Sequence, residues 1–421
     1  MTPSPVRSFG PLNTGRVLAG TAFLMLPVGL LAPKGLAPLF VVAAAVVFIL
    51  NFDAGRIRAV LRQPVALLLA AFLAVGALSA AWSIEAMASV RASLILSLTF
   101  FGGLYLIDTV ARLDKRQRAT FHLGILAGGI LGLAVIAIEW ATDSAISGAI
   151  LTAKGVEFGP DKDLMPILNA GISVLAIVAW PWLLVIKHRF GAAMMAPGML
   201  ACGVVIFLGS ADTPILALVT GFIVAALSLL ARKAVLVVFT ALMVIGVTVA
   251  PLVPGALPDP ETETRAYAML SNSAIHRLAI WRTAAEHISQ NPVRGIGLNG
   301  TRFLYGDKDK IQRWYGTDDR KKKWGNFAEP IPLHAHNGVL QIWLELGGIG
   351  AVLFGGVLFV VMRRIGSGLD DGLATAARLG MLSSGIVIFS SSYGPWQGWW
   401  QGAIWLSVAV MAAAESEKTK A

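Results

Sequence analysis

The chain of 421 residues holds one cysteine, and Asp, Glu, Lys and Arg together make up only 14 % of it. A lone thiol, Cys202, closes no intrachain disulfide and builds no thiolate cluster, and its place in an apolar run makes it a packing residue. So little charge beside 56 % hydrophobic residues and a mean hydropathy of +0.72 excludes water as the main solvent. The sequence also lacks internal repeats, low-complexity tracts and the strand–helix alternation that a nucleotide-binding sheet requires.

What it has is a recurring apolar run. About 17 to 25 such residues span a bilayer as a helix, and spans are expected at 17–32, 36–52, 65–82, 88–111, 121–141, 166–186, 192–210, 213–231, 233–252, 338–362, 373–393 and 398–414. The fold class is therefore all-α, an integral membrane protein of about twelve transmembrane helices forming a single membrane domain. Arg7 and Arg16 precede Val17–Leu31 in the manner of a signal peptide, but no small-residue cleavage site follows, and an uncleaved first span is expected.

With both termini in the cytoplasm, fourteen Lys and Arg of the short loops, among them Arg56, Arg112, Arg118 and Lys187, fall inside against four outside. Cytoplasmic loops retain cations, so the net charge of +10 reads as topology, with no nucleic-acid partner. The chain then divides into helices 1–9 (1–252), an extracytoplasmic catalytic loop (253–335) and helices 10–12 (336–421). Loops this long are functional or disordered. The helical apolar pattern of Ile275–Ile288, with Trp281, Trp314, Trp324, Tyr305 and Phe327, argues for order.

Within and beside that loop lie the residues suited to chemistry. His334-Ala335-His336-Asn337 stands where a helix enters the membrane, a costly place for two imidazoles. On a continuous helix His334, Asn337, Gln341 and Glu345 form one polar stripe and His336 points away, so where the helix begins decides which histidine faces a substrate. Two histidines two apart on a helix cannot share an ion, and no metal is expected. Arg265, Arg277, Arg282 and Arg294 offer forked donors to phosphate oxygens beside a membrane, with Trp281 on the face of Arg277. Gly295-Ile296-Gly297-Leu298-Asn299-Gly300 has dinucleotide-loop spacing but follows a helix and Pro292, which makes it a tight glycine turn. The run Lys321–Lys323 reads as solvated, Asp161-Lys162-Asp163 as a surface loop, and Tyr393, Trp396, Trp399 and Trp400 as an interfacial belt.

His336-Asn337, nine residues, Gly347, two residues and Gly350 together resemble the H-[N/S/Q]-x9-G-x-x-G signature of the O-antigen ligase family, within the O-antigen ligase and polymerase superfamily. Arg277 with Trp281, and Asn291-Pro292 ahead of Gly295-Ile296-Gly297, resemble the segment preceding that histidine. The resemblance implies a fold similar to C-type, lipid-linked glycosyltransferases. It also implies an inverting, metal-independent and cofactor-free transfer of a glycan from undecaprenyl pyrophosphate to the lipid A core of lipopolysaccharide. The setting it implies is the bacterial inner membrane, with the active site facing the periplasm, membrane lipids around it and no obligate protein partner. His336 takes the role of base, and Arg265 and Arg277, with Arg282 and Arg294 behind them, that of pyrophosphate ligands. His334, Asn337, Trp281 and Glu345 support them.

One departure concerns a Ser-Arg or Thr-Arg pair that the superfamily often carries after an outward-going span. Here the stretch reads Gly209-Ser210-Ala211-Asp212-Thr213, and Arg265 or Arg91 is the expected substitute. An O-antigen polymerase or a protein O-oligosaccharyltransferase would use the same donor and the same histidine. A polysaccharide or lipid exporter needs the spans but not the histidine–arginine loop, and the broken helix pairs of transporters are missing.

Overall fold

A computed structural model describes residues 13–157, 164–209, 211–260, 264–267, 269–314, 325–367 and 371–414. Each expected span coincides with a helix: Thr14–Leu31, Leu36–Leu50, Pro64–Leu78, Ala86–Ala111, Lys115–Ala141, Asn169–Phe190, Met195–Leu208, Asp212–Val249, Gly338–Gly366, Gly372–Phe389 and Gly398–Ala414. Among the described residues, nine helical stretches are long and apolar enough to cross a membrane. Two expected spans are the arms of Asp212–Val249. Its 38 residues would reach about 57 Å as one rod, well beyond a hydrocarbon core, and the backbone leaves the helical region at Ala231 (φ −139°, ψ 58°). The break falls where Arg232 and Lys233 would otherwise continue the helix as charged residues, which belong at a membrane surface.

The helix Asn169–Phe190 runs through the centre. Every residue from Gly171 to Ile186 is buried, as befits a helix apolar on all sides. Thr14–Leu31, Gly372–Phe389 and Gly398–Ala414 pack around it, and Cys202 lies fully buried in the same core.

Contacts sort the loops into two ends. At one, Arg56 and Arg112 both pair with Asp108 at 2.9 Å, and Lys187 pairs with Asp371 at 2.9 Å. There too Arg118, His122 and His188 donate to the last carbonyls of Gly398–Ala414, at 3.1 Å, 2.8 Å and 2.8 Å, as cations and imidazoles do at helix C-termini. At the other end Ser173, about 21 Å along its helix from Lys187, meets the hydroxyl of Tyr393 at 3.1 Å.

That second end carries the long loop. Its main element, Asn272–Gln290, starts at Ser271, whose hydroxyl accepts from the Ala274 N–H at 3.3 Å. Ile280, Ala284 and Ile288, at helical spacing, bury against Ile331, Leu340 and Leu344. The strands Ile311–Trp314 and Gly325–Ala328 pair antiparallel, Ile311 opposite Ala328. Four residues are too few to show a period in sequence, and this ribbon is the one β element among the described residues of an all-α fold.

Candidate active site

The helix Gly338–Gly366 breaks at Gly347 (φ 60°, ψ −160°), a conformation open essentially to glycine alone. A break within a membrane orphans backbone groups, and these must find partners inside the protein. The segment Pro292–Gly297 supplies them. Gly348 N–H donates to the Pro292 carbonyl at 2.8 Å and Ile349 N–H to that of Val293 at 3.3 Å. In return Ile296 N–H reaches the Leu344 carbonyl at 3.0 Å and Gly297 N–H that of Glu345 at 2.9 Å. Gly295 and Gly297 have positive φ, and a Cβ on Gly295 would strike the Glu345 backbone. The dinucleotide-like spacing is thus a glycine splice into a broken helix.

Glu345, fully buried, fastens this splice. Its carboxylate accepts from Asn299 N–H (2.5 Å), the Thr301 hydroxyl (2.6 Å), the Gln341 amide (2.9 Å) and the Trp396 indole (2.6 Å). A buried carboxylate with this many donors is a structural tie. Trp396 therefore reaches a buried carboxylate, and Tyr393, Trp399 and Trp400 meet one another edge-on or tilted, with Trp400 fully buried. Tyr393, Trp396 and Trp399 remain partly exposed.

The histidines precede the helix. Asn337 caps it, its side-chain oxygen accepting from Val339 N–H at 3.0 Å and Leu340 N–H at 3.1 Å. The expected stripe through His334, Asn337, Gln341 and Glu345 is thereby corrected. His334 and His336 sit in a tight corner with His336 at φ 51°, and their rings lie 4.1 Å apart instead of diverging.

His336 Nδ1 is 2.9 Å from the Ser392 carbonyl. A carbonyl only accepts, so the proton resides on Nδ1, leaving Nε2 as the free acceptor, the arrangement a general base requires. Burial pushes the His336 pKa below the ordinary imidazole value. The Ser392 hydrogen bond opposes that push and the Arg277 charge adds to it, keeping the ring neutral at pH 7.

Arg277 enters from the loop helix. Its guanidinium donates to the Thr213 hydroxyl at 3.2 Å, and its charge acts on His334, His336 and Tyr393. Burial lowers its own pKa, and nearby Tyr393 and Asp212 counter this. Thr213 ends the very stretch in which an adjacent arginine was missing. Among the described side chains the arginine at Thr213 is Arg277, which arrives in space from the loop.

The other arginines part company. Arg282, five residues and about 140° round the helix from Arg277, turns to Asp259 at 3.8 Å, Glu286 at 4.0 Å and the Leu257 carbonyl. Arg294 is exposed over the Trp82 ring, 5.9 Å from its centre. Arg265 has its backbone in the turn Thr264–Tyr267, with its side chain outside the described residues, as are Ser210, Asp161–Asp163 and Lys321–Trp324. Trp281 packs against the cluster of Ile280, Ile331 and Leu340.

Sequence reasoning reached Thr213 only as the end of the Gly209–Thr213 stretch and passed over Ser392. Ser392 acts through its carbonyl and leaves no side-chain signal. Among the described residues no three His, Cys, Asp or Glu side chains converge as metal ligands.

Residues 197–355, which hold Thr213, Arg277, both histidines and the glycine splice, match the family model for O-antigen ligase. The chain is 28 % identical over 248 residues to a protein named "Putative polysaccharide ligase" from Rickettsia bellii, covering 58 % of this chain and 57 % of that one. A protein of the same description from Rickettsia conorii is 34 % identical over 152 residues, covering 36 % and 34 %. Another from Rickettsia felis is 25 % identical over 370 residues, covering 85 % and 84 %. The matched part thus spans about half the R. bellii relative and most of the R. felis one.

Proposed function

This chain belongs to the O-antigen ligase family, and from that membership and the geometry of the histidine corner we propose that it transfers a glycan from undecaprenyl pyrophosphate to a sugar hydroxyl of the lipid A core. The observation that carries the reading is the pairing of a neutral imidazole with a free Nε2, His336, and a half-buried guanidinium, Arg277, at one end of the bundle. The acceptor hydroxyl gives its proton to His336 Nε2, and its oxygen bonds to the anomeric carbon. The bond from that carbon to the pyrophosphate oxygen breaks on the opposite face, inverting the centre. Arg277 stabilises the charge that gathers on the departing pyrophosphate, doing electrostatically what a divalent cation does elsewhere. The 253–335 loop, which brings Arg277 to His336 just beyond its end, faces the periplasm of the inner membrane, with the termini and the Arg56–Asp108 end in the cytoplasm.

The test is His336→Ala in cells lacking the native protein, with lipopolysaccharide resolved on a gel beside the membrane abundance of the variant. Loss of a general base costs about 10²- to 10⁴-fold. At equal abundance, polymer is expected to vanish from lipid A core and accumulate on undecaprenyl pyrophosphate. Undiminished capping of the core overturns the reading. Loss of chain extension with short glycans still reaching the core would mark a polymerase instead.

A further inference from the structure

The two histidines of the corner carry their protons on opposite nitrogens. His336 N–H donates to His334 Nδ1 at 3.2 Å. A backbone amide only donates, so His334 Nδ1 is unprotonated and the neutral ring holds its proton on Nε2. His336 is the reverse, with Nδ1–H committed to Ser392 and Nε2 free. A donor and an acceptor of the same chemical kind thus stand 4.1 Å apart, ring to ring. Both rings are half-buried, so neither is closed off, and the charges of Arg277 and Arg302 both act on His334.

We infer that His334 is a second catalytic residue, its Nε2–H donating a hydrogen bond to a phosphate oxygen of the departing pyrophosphate while His336 Nε2 takes the proton of the acceptor hydroxyl. The inference rests on the glycan-transfer reading above. His334 neither gains nor loses a proton: the acceptor's proton ends on His336, the electron pair of the broken carbon–oxygen bond ends on the pyrophosphate, and the His334 hydrogen bond strengthens as that charge grows. A neutral N–H donor suffices for the task, since its hydrogen bond strengthens as negative charge grows on the accepting oxygen. Burial, with the neighbouring His336, Arg302 and Arg277, pushes the His334 pKa down to about 3, which also bars it from serving as the base.

The experiment compares His334→Gln with His334→Asn in membranes supplied with undecaprenyl-pyrophosphate-linked polymer and lipid A core, both extracted from cells lacking the protein. Turnover is divided by membrane abundance. The Asn side chain places an oxygen where Nδ1 accepts from His336 N–H but is too short to reach the position of Nε2. The Gln side chain carries an N–H near that position. Gln is expected to stay within about tenfold of the native kcat, and Asn to fall by about 10²- to 10³-fold with little change in KM for the donor, the size of one lost oxyanion donor. If Asn equals or exceeds Gln, His334 merely holds the corner and the inference falls. Failure of the underlying reading shows separately: His336→Ala would then still turn over, whereas an inactive His336→Ala beside fully active His334 variants removes only the role of His334.

Discussion

His336 adopts a left-handed backbone angle one residue ahead of a helix cap, at a cost of roughly 1 to 2 kcal/mol for a residue with a Cβ. The conformation turns the ring to the Ser392 carbonyl, and that bond decides which nitrogen is free. The pH behaviour follows. A base must be neutral, and burial with Arg277 lowers the pKa of His336 from 6.5 against the raising effect of Ser392. Activity should hold as pH falls from 8 to about 6.5 and disappear only below that. Removing the positive charge in Arg277→Gln takes away one lowering influence and should move the acidic limb of kcat/KM upward, alongside its loss of rate. A native limb at or above 6.5 would contradict this account. From the sequence came four arginines, Arg265 and Arg277 ahead of Arg282 and Arg294, but charge type says nothing about which way a helix faces. The fold separates Arg277 from Arg282 and Arg294, and the activities should follow: Arg277→Ala is expected to lose about 10²-fold or more. Arg282→Ala, whose partly exposed pairs with Asp259 and Glu286 are worth at most about 1 kcal/mol, should stay near native turnover.

Among elements, the splice of Pro292–Gly297 into the broken helix explains why glycines recur on both sides of it. The spacing Gly347-x-x-Gly350 and the run from Gly295 were both visible in sequence, but their joining was not, since 46 residues separate Asn299 from the Glu345 it bonds. The reading of Gly295–Gly300 as a tight turn rather than a nucleotide loop agrees with the positive φ of Gly295 and Gly297. The stripe of polar residues misled because it assumed that the helix began before His334, and only the Asn337 cap sets its start. Gly347→Ala forces a Cβ into a glycine-only conformation and against the Val293 backbone, which cannot yield as a side-chain tip would. It should lose more than about 2 kcal/mol. Gly355→Ala, in the same helix with nothing within 4 Å of its Cβ, should be neutral or gain up to about 1 kcal/mol. Melting of the two detergent-solubilised variants checks the contrast, and equal melting points would show that the break tolerates a side chain.

For the whole molecule, the spans were legible because a bilayer demands long apolar helices, and a window of residues suffices to see them. The Arg56–Asp108, Lys187–Asp371 and Arg118–Ala413 contacts then gather at one end the cations assigned inside by counting, and the histidine corner lies at the other. If the first end faces the cytoplasm, the two ends differ in their access to a reagent that cannot cross the membrane. The single native cysteine is buried in the core, so the unaltered chain provides a silent background. Leu333, 61 % exposed beside the histidine corner, and Arg62, exposed at the opposite end, serve as probes. In cells whose outer membrane alone is permeabilised, a charged maleimide should label Leu333→Cys and leave Arg62→Cys untouched until the inner membrane is opened as well. The opposite pattern would place the histidine corner in the cytoplasm, where the lipid A core presents no acceptor after export, and would remove the ligase reading together with the orientation.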